Sequence, residues 1–129
     1  MQTKDNHGFR FRDWQVYKDS KKFRKEINIL IKKFPPDERY ALVDQTRRAL
    51  LSIILNIAES TNKNSDKDMR VYINRSHCSL DEVVACMDCA FDDQYITGEE
   101  LEIVLTNAEN LAKQLTAFTV YLSKQKVNR

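Results

Sequence analysis

Several residue types that build other kinds of protein are scarce in this chain. Its 129 residues include only two glycines and two prolines, whereas β-rich folds use both residues heavily in their turns. So few glycines also exclude the glycine-rich loops that bind phosphate groups. This composition is typical of long helices with short connections. A chain of this length is expected to form one domain with its own core.

Long apolar runs are absent as well. The longest, Ala49 to Leu55, is interrupted by Ser52 and is too short to cross a bilayer. The polar N-terminus lacks the apolar segment of a secretory leader. The three cysteines are an odd number, which does not suit a secreted disulfide framework. We therefore expect a reduced, cytoplasmic protein with no membrane partner.

Apolar residues recur at intervals of three and four, as they do along the buried face of a helix. The pattern predicts one bundle domain over 13–124, with a flexible N-terminal tail and a frayed C-terminus. Asp13 is the expected N-cap of the first helix, and Thr97 to Glu100 form a capping-box pattern before the fourth. Such a chain is expected to be all-α, an up-down-up-down antiparallel four-helix bundle. The predicted segments are a tail at 1–12, helices at about 14–34, 37–60, 66–92 and 98–124, and a frayed end at 125–129.

The apolar stripe of the third helix is expected to face the core of the bundle. It includes the aromatic residue Tyr72. The full stripe consists of Met69, Tyr72, Ile73, Ser76, Leu80, Val83, Met87 and Ala90.

The second helix has unusual proportions, because its polar residues form a narrow seam and nearly everything else is apolar. A surface helix has a broad polar face, so we expect this helix to be surrounded by protein. The apolar face of this helix is wider than a single bundle needs to bury. We predict that the additional residues, Leu51, Ile54 and Leu55, lie between subunits of a ring. The polar seam consists of Gln45, Arg48, Ser52, Asn56 and Glu59.

The polar seam has two interpretations. It is a reactive or ligand-binding site, or it is a structural network that fixes the register between helices. We favour the network, because the planar fork of Arg48 suits carboxylates and amide oxygens. Glu82 of the third helix is the candidate partner across the helix interface.

Charge is distributed unevenly along the chain. Every charged residue from Asp81 to Glu109 is acidic, whereas basic residues dominate the first helix. These basic residues are either a sequence-independent contact for nucleic-acid phosphates, or a solvated face. Such a face contacts nothing, or it pairs with the acidic third and fourth helices of a neighbouring subunit. No aromatic residue interrupts them to stack on a base. The candidate nucleic-acid contacts are Arg10, Arg12, Lys18, Lys21, Lys22, Lys25, Lys32 and Lys33.

Residues that support catalysis or metal binding are sparse. Cys78, Cys86 and Cys89 share one side of the third helix but lack an obvious fourth zinc ligand, and they are far from a helix N-terminus that would activate a thiolate. We interpret them as small core-filling side chains. His7 and His77 do not follow a glutamate at the Glu-x-x-His spacing of di-metal bundles. We expect no catalytic residue, metal or cofactor.

Several motifs resemble those of a known family. The chain is similar to the "four helix bundle protein" family, which includes proteins encoded in intervening sequences of bacterial 23S rRNA genes. The accessory variability protein of diversity-generating retroelements is a more distant relative. The motifs are Asp13–Val16, Phe34-Pro35, Glu38–Tyr40, Gln45–Ala49, Ser52-Ile53, Asn56–Glu59, and Ser79-Leu80 with Glu82.

The resemblance implies a bundle that often assembles as a cyclic homopentamer, with no established enzymatic activity. It also implies association with nucleic acid or a reverse transcriptase, as known for some relatives. The leading hypothesis is therefore a homo-oligomeric scaffold or accessory protein for RNA or for such a partner. The alternative is a protein-interaction module that does not bind nucleic acid.

Overall fold

Four α-helices form the fold, in a computed structural model that describes residues 6–125, with the backbone alone at residues 124 and 125. Helices adjacent in sequence pack against each other, and the first also packs against the fourth. The predicted up-down-up-down four-helix bundle is thus confirmed, and residues 6–125 contain no strand. The helices are α1 (Gln15–Ile31), α2 (Leu42–Ser60), α3 (Asp66–Asp92) and α4 (Gly98–Gln125), with 3₁₀ segments at Arg10–Asp13 and Pro36–Glu38.

The core is made of aliphatic side chains from all four helices, including Ile27, Ile53, Leu80 and Leu115. The most extensive helix interface joins α2 and α3. There the hydroxyl of buried Ser76 donates to the carbonyl oxygen of Ile53 at 2.8 Å. A side chain as short as serine reaches the neighbouring backbone only where two helices approach closely, so small residues define this interface.

The segment before α1 differs from the predicted loose tail. Asp13 lies in the 3₁₀ segment, and its carboxylate accepts a hydrogen bond from the Asn6 amide at 2.8 Å. It does not cap α1, whose N-cap is Trp14. The ring of Phe11 packs edge-on against Tyr17, with 4.9 Å between centroids. These contacts hold residues 6–12 against the bundle. The remainder of the predicted tail, residues 1–5, lies outside the described residues.

The connection between α1 and α2 is longer than predicted. α1 ends at Ile31, and α2 begins at Leu42 rather than near residue 37. Glu38 is used as a hydrogen-bond acceptor between the helices, because its carboxylate accepts from the Tyr95 hydroxyl at 2.7 Å and from the Leu42 amide at 3.4 Å. Pro36 starts a 3₁₀ turn, which suits its fixed φ and missing amide hydrogen.

The starts of α3 and α4 follow their local capping signals. Ser65 accepts a hydrogen bond from the Asp68 amide at 3.1 Å. Thr97 accepts from the Glu100 amide at 3.1 Å, and Glu100 accepts from the Thr97 amide at 2.9 Å. α4 extends to Gln125, the first residue of the predicted frayed end, and residues 126–129 of that end lie outside the described residues.

Candidate nucleic-acid interface

The outward face of α1 and of the residue that follows it carries five lysines, which we call the lysine stripe: Lys18, Lys21, Lys22, Lys25 and Lys32. All five are exposed. Within the described part of the chain, none of the five forms an ion pair with an acidic side chain. The ammonium group of Lys21 lies 5.2 Å from the centroid of the Tyr17 ring. The stripe is therefore a row of positive charges that the chain itself does not neutralise.

The acidic residues of α1 explain why the lysine stripe stays uncompensated. Asp19 accepts a hydrogen bond from the Gln114 amide of α4 at 2.9 Å, and Glu26 accepts one from Asn107 at 3.1 Å. Both carboxylates are thus directed toward the α1–α4 interface. The five lysines lie on the face of α1 opposite its buried residues, because each residue of a helix is rotated by about 100° from the one before it.

The other predicted basic contacts have different surroundings. Both carboxylate oxygens of Glu100 lie 2.6 Å from the Lys33 ammonium, and the bond to Lys33 lowers the pKa of the Glu100 carboxyl. Arg10 donates to the carbonyl oxygen of Thr61 at 3.0 Å. Arg12 is exposed. Lys33 is therefore committed to a contact within the chain and does not belong to the lysine stripe.

The polar seam of α2 forms contacts with α3, and Glu82 is a partner across the interface, through Gln45 and not through Arg48. Gln45 donates a hydrogen bond to Glu82, and the hydroxyls of Ser52 and Ser79 lie 2.8 Å apart. Asn56 donates to the Ser52 carbonyl at 2.9 Å. The bonds from Gln45 and Ser52 join α2 to α3, as a structural network would, whereas the Asn56 bond lies within α2.

Two residues of the polar seam do not join that network. The side chain of Arg48 is 75% exposed and lies 3.2 Å from Asp44, four residues earlier on the same helix. The predicted pairing of Arg48 with Glu82 is therefore wrong, because a nearer carboxylate lies on the same helix surface. Glu59 is also exposed.

The three residues predicted to lie between subunits differ in their solvent exposure. Leu51 is 43% exposed and Leu55 is 49% exposed, whereas Ile54 is only 8% exposed. Ile54 is covered by its own chain. Leu51 and Leu55 form an apolar patch without cover from this chain.

The three cysteines also differ in their solvent exposure. Cys86 is buried, and burial raises the pKa of its thiol. Cys78 and Cys89 are exposed, so the prediction that all three fill the core is wrong for these two. Their position on the outer side of α3 is the reason. Across residues 6–125, no group of three or more histidine, cysteine, aspartate or glutamate side chains is arranged to hold a metal ion.

One cationic group was missed by reasoning from the sequence. Lys63 of the α2–α3 loop and Arg75 of α3 both lie over the ring of Tyr72, at 4.1 and 4.5 Å from its centroid. The apolar pattern assigned Tyr72 to the core, but the ring is only half-buried. The spacing of Tyr72 and Arg75, three apart on one helix, is the available signal; nothing local indicates Lys63.

Searches for similar proteins give a family match. The model of the family described as "23S rRNA-intervening sequence protein" matches residues 12–117. No curated protein matches the chain. In the described part of the chain, no helix combines the length and apolar character that a membrane span requires.

A solved structure has the same fold. It is the crystal structure of a protein with unknown function from the S23 ribosomal protein family of Bacteroides thetaiotaomicron. The two share 21% identity with a TM-score of 0.72, over 81% of this chain and 97% of that one. The family match covers most of the chain and agrees with the motifs in α1, α2 and α3. The chain therefore belongs to the 23S rRNA-intervening sequence protein family.

Proposed function

We propose that this protein is a non-enzymatic, homo-oligomeric bundle that acts as a scaffold or accessory protein for structured RNA. Its partner is either the RNA itself or a protein that handles nucleic acid, such as a reverse transcriptase. The observation that carries the proposal is the lysine stripe of α1, which is exposed and unpaired within the described chain. The family's association with an rRNA intervening sequence supports the same class of partner.

The dimensions of the lysine stripe suit a nucleic-acid backbone. Lys18 and Lys32 are fourteen residues apart, which corresponds to about 21 Å along a helix. Lysine ammonium groups along such a line neutralise phosphates and release counterions, which gives affinity without reading the sequence. The exposed apolar residue within the stripe is Ile29, which offers no aromatic ring for a base. This favours contact with a folded backbone over stacking on single strands.

Self-association is the second part of the proposal. Leu51 and Leu55 form an exposed apolar patch on α2, and covering such a patch with another subunit removes apolar surface from water. A ring would present several lysine stripes to one RNA, and multivalent contact raises the overall affinity where the sites can engage together. Sedimentation of the wild-type protein and of Leu51→Glu/Leu55→Glu tests this part. A monomeric wild-type protein at micromolar concentration would contradict it.

The test of RNA binding is a titration of a fluorescently labelled RNA stem-loop at several salt concentrations. Wild-type affinity should fall steeply with salt. The variant Lys18→Glu/Lys22→Glu/Lys25→Glu should bind at least roughly a hundredfold more weakly at about 0.1 M salt, because three phosphate contacts are reversed. Lys21 is left unchanged because its ammonium group also contacts Tyr17.

A matched control removes the same charge elsewhere. Arg39, Arg47 and Lys113 are exposed and lie outside the lysine stripe, so their triple change to glutamate gives an equal net charge. Equal loss of affinity in both variants would show that net charge alone causes the effect, and would contradict the lysine stripe as the RNA contact. If the wild-type protein does not bind the stem-loop, and one stoichiometric protein co-purifies without nucleic acid, the protein-interaction module is the better account.

A further inference from the structure

A second cationic group lies where α2 meets α3. The Tyr72 cluster consists of Lys63, Tyr72 and Arg75. Lys63 and Arg75 place their charged groups 4.1 and 4.5 Å from the ring centroid. The ring restrains two long side chains that would otherwise be free, so a ligand that binds them loses less conformational entropy. Arg75 remains exposed and Lys63 is half-buried, so both charges are accessible.

The Tyr72 cluster is connected to the start of α1 by the segment that precedes that helix. Arg10 donates to the carbonyl oxygen of Thr61, two residues before Lys63, at 3.0 Å. This contact places an exposed guanidinium beside the α2–α3 loop. We call this region the α2–α3 end; it comprises residues 6–13, residues 61–65 and the first turns of α3. Lys18 begins the lysine stripe just beyond it.

Charge distinguishes the α2–α3 end from the other end of the bundle. Exposed acidic residues are present near the cluster, namely Glu59 and Asp68. Over the whole α2–α3 end together with Glu59, the basic residues outnumber the acidic ones: Arg10, Arg12, Lys63, Lys67, Arg70 and Arg75 against Asp13, Glu59, Asp66 and Asp68. At the other end, the second half of α3 and the first half of α4 carry charged residues of acidic type alone, from Asp81 to Glu109. A polyanion is therefore attracted to the α2–α3 end and repelled from this acidic surface of α3 and α4.

We propose that the α2–α3 end is a second contact surface for RNA phosphates, organised by the Tyr72 cluster. This inference rests on the proposed function and extends it, because it orients the RNA relative to the bundle. The backbone runs along the lysine stripe toward Lys18, passes Arg10 and reaches Lys63 and Arg75. The guanidinium of Arg75 offers paired donors that match phosphate oxygens. Tyr72 is a positioning residue, since it acts through the two cations.

The experiment uses the same labelled RNA stem-loop and the full-length protein. In Lys63→Gln/Arg75→Gln, affinity should fall roughly tenfold at about 0.1 M salt, and the salt dependence should lose about two phosphate contacts. The control is Arg39→Gln/Lys113→Gln. It removes equal charge, and Arg39 also lies over a tyrosine ring, 5.9 Å from the centroid of Tyr40.

Two substitutions of Tyr72 test its positioning role. Tyr72→Phe keeps the ring and should bind as the wild-type protein does. Tyr72→Leu should bind about threefold more weakly, since the ring no longer restrains the cations. The salt dependence should stay unchanged, because no charge is removed. Circular dichroism of each variant confirms that the helices are intact.

The outcomes separate this inference from the proposed function. If the wild-type protein fails to bind the stem-loop, the proposed function fails. If the lysine-stripe variant loses binding while Lys63→Gln/Arg75→Gln behaves like its control, the stripe alone contacts RNA and the second surface is overturned. Loss of affinity in both variants, with wild-type behaviour in Tyr72→Phe, supports it.

Discussion

The two ends of the bundle use their charged and aromatic residues differently. At the opposite end, formed by residues 32–41 and 93–100, Lys33 bonds to Glu100 and Tyr95 bonds to Glu38. At the α2–α3 end, Lys63 and Arg75 cover a tyrosine ring but remain accessible. Polar groups at the opposite end thus tie the two helix connections together. At the α2–α3 end, Lys63 and Arg75 form no ion pair with an acidic side chain of the described residues, and we propose that these two cations contact RNA.

Two phenylalanines, one near each end, differ in a similar way. At the opposite end, the buried ring of Phe34 packs on Tyr95 with 5.3 Å between centroids. At the α2–α3 end, Phe9 is 57% exposed and touches Phe11 edge-on. Stability and binding are therefore expected to depend on different ends of the molecule, and substitutions at each end can test this.

The largest expected effect is on stability at the opposite end. Phe34→Ala should lower the free energy of unfolding by about 3–5 kcal/mol, the usual cost of deleting a buried phenyl ring. Phe9→Ala at the α2–α3 end should change it by less than about 0.5 kcal/mol, because the ring is largely solvated. Urea denaturation monitored by circular dichroism measures both. A large loss of unfolding free energy in Phe9→Ala would contradict this difference between the two ends.

A smaller effect is expected at the helix caps. Thr97→Ala and Ser65→Ala should each cost about 0.5–2 kcal/mol, the range for N-cap removal. Each change removes one capping bond, which the Thr97 hydroxyl accepts from the Glu100 amide and the Ser65 hydroxyl accepts from the Asp68 amide. The reciprocal bond from the Thr97 backbone amide to Glu100 is kept, because alanine has the same amide. Wild-type stability of both variants in the same urea assay would contradict the role of these caps.

Alkaline pH should weaken the opposite end. The hydrogen bond to the Glu38 carboxylate raises the pKa of Tyr95 from 10.0 to about 12. Since the folded-state pKa lies above the unfolded one, this contribution is complete below about pH 10 and is lost as pH rises toward about 12. In urea titrations across that window, Tyr95→Phe should decline less steeply than wild type. Tyr121→Phe, at an exposed position, should retain the wild-type decline.

The smallest expected effect is on stability at the α2–α3 end. Lys63→Gln/Arg75→Gln should lower the free energy of unfolding by less than about 1 kcal/mol, since cation–π contacts at exposed sites contribute little. The same variant should lose RNA affinity, as proposed above. A stability loss comparable to that of Phe34→Ala would instead make the Tyr72 cluster a structural feature.

The fold was predictable because its signals are local. The stripe through Phe23 and Ile27 and the capping pattern at Thr97 each depend on residues within one or two turns of a helix. The start of α2 was not predictable from the sequence. Glu38, in the segment before this helix, accepts a hydrogen bond from Tyr95, which is 57 residues away along the chain. A boundary set by so distant a contact leaves no periodic signal.

The candidate site was predictable only in part. Counting lysines on one helix face identified the stripe, but it also included Lys33, whose partner Glu100 lies 67 residues later. The apolar spacing of α3 assigned Tyr72 to the core, because an aromatic residue at a core interval is most often buried. The nearest carboxylate decided the pairing of Arg48, and that carboxylate belonged to Asp44 on the same helix.

Four amphipathic helices, their order and the basic character of α1 can be read from the sequence, because helix periodicity and composition are properties of short segments. Which charges are committed and which are accessible becomes clear only from the packing of the helices. That distinction depends on which helix ends meet: Lys33 reaches Glu100 at one end of the bundle, while Lys63 and Arg75 meet over Tyr72 toward the other. A charge is neutralised by its neighbours in space, and the packing of the helices chooses those neighbours.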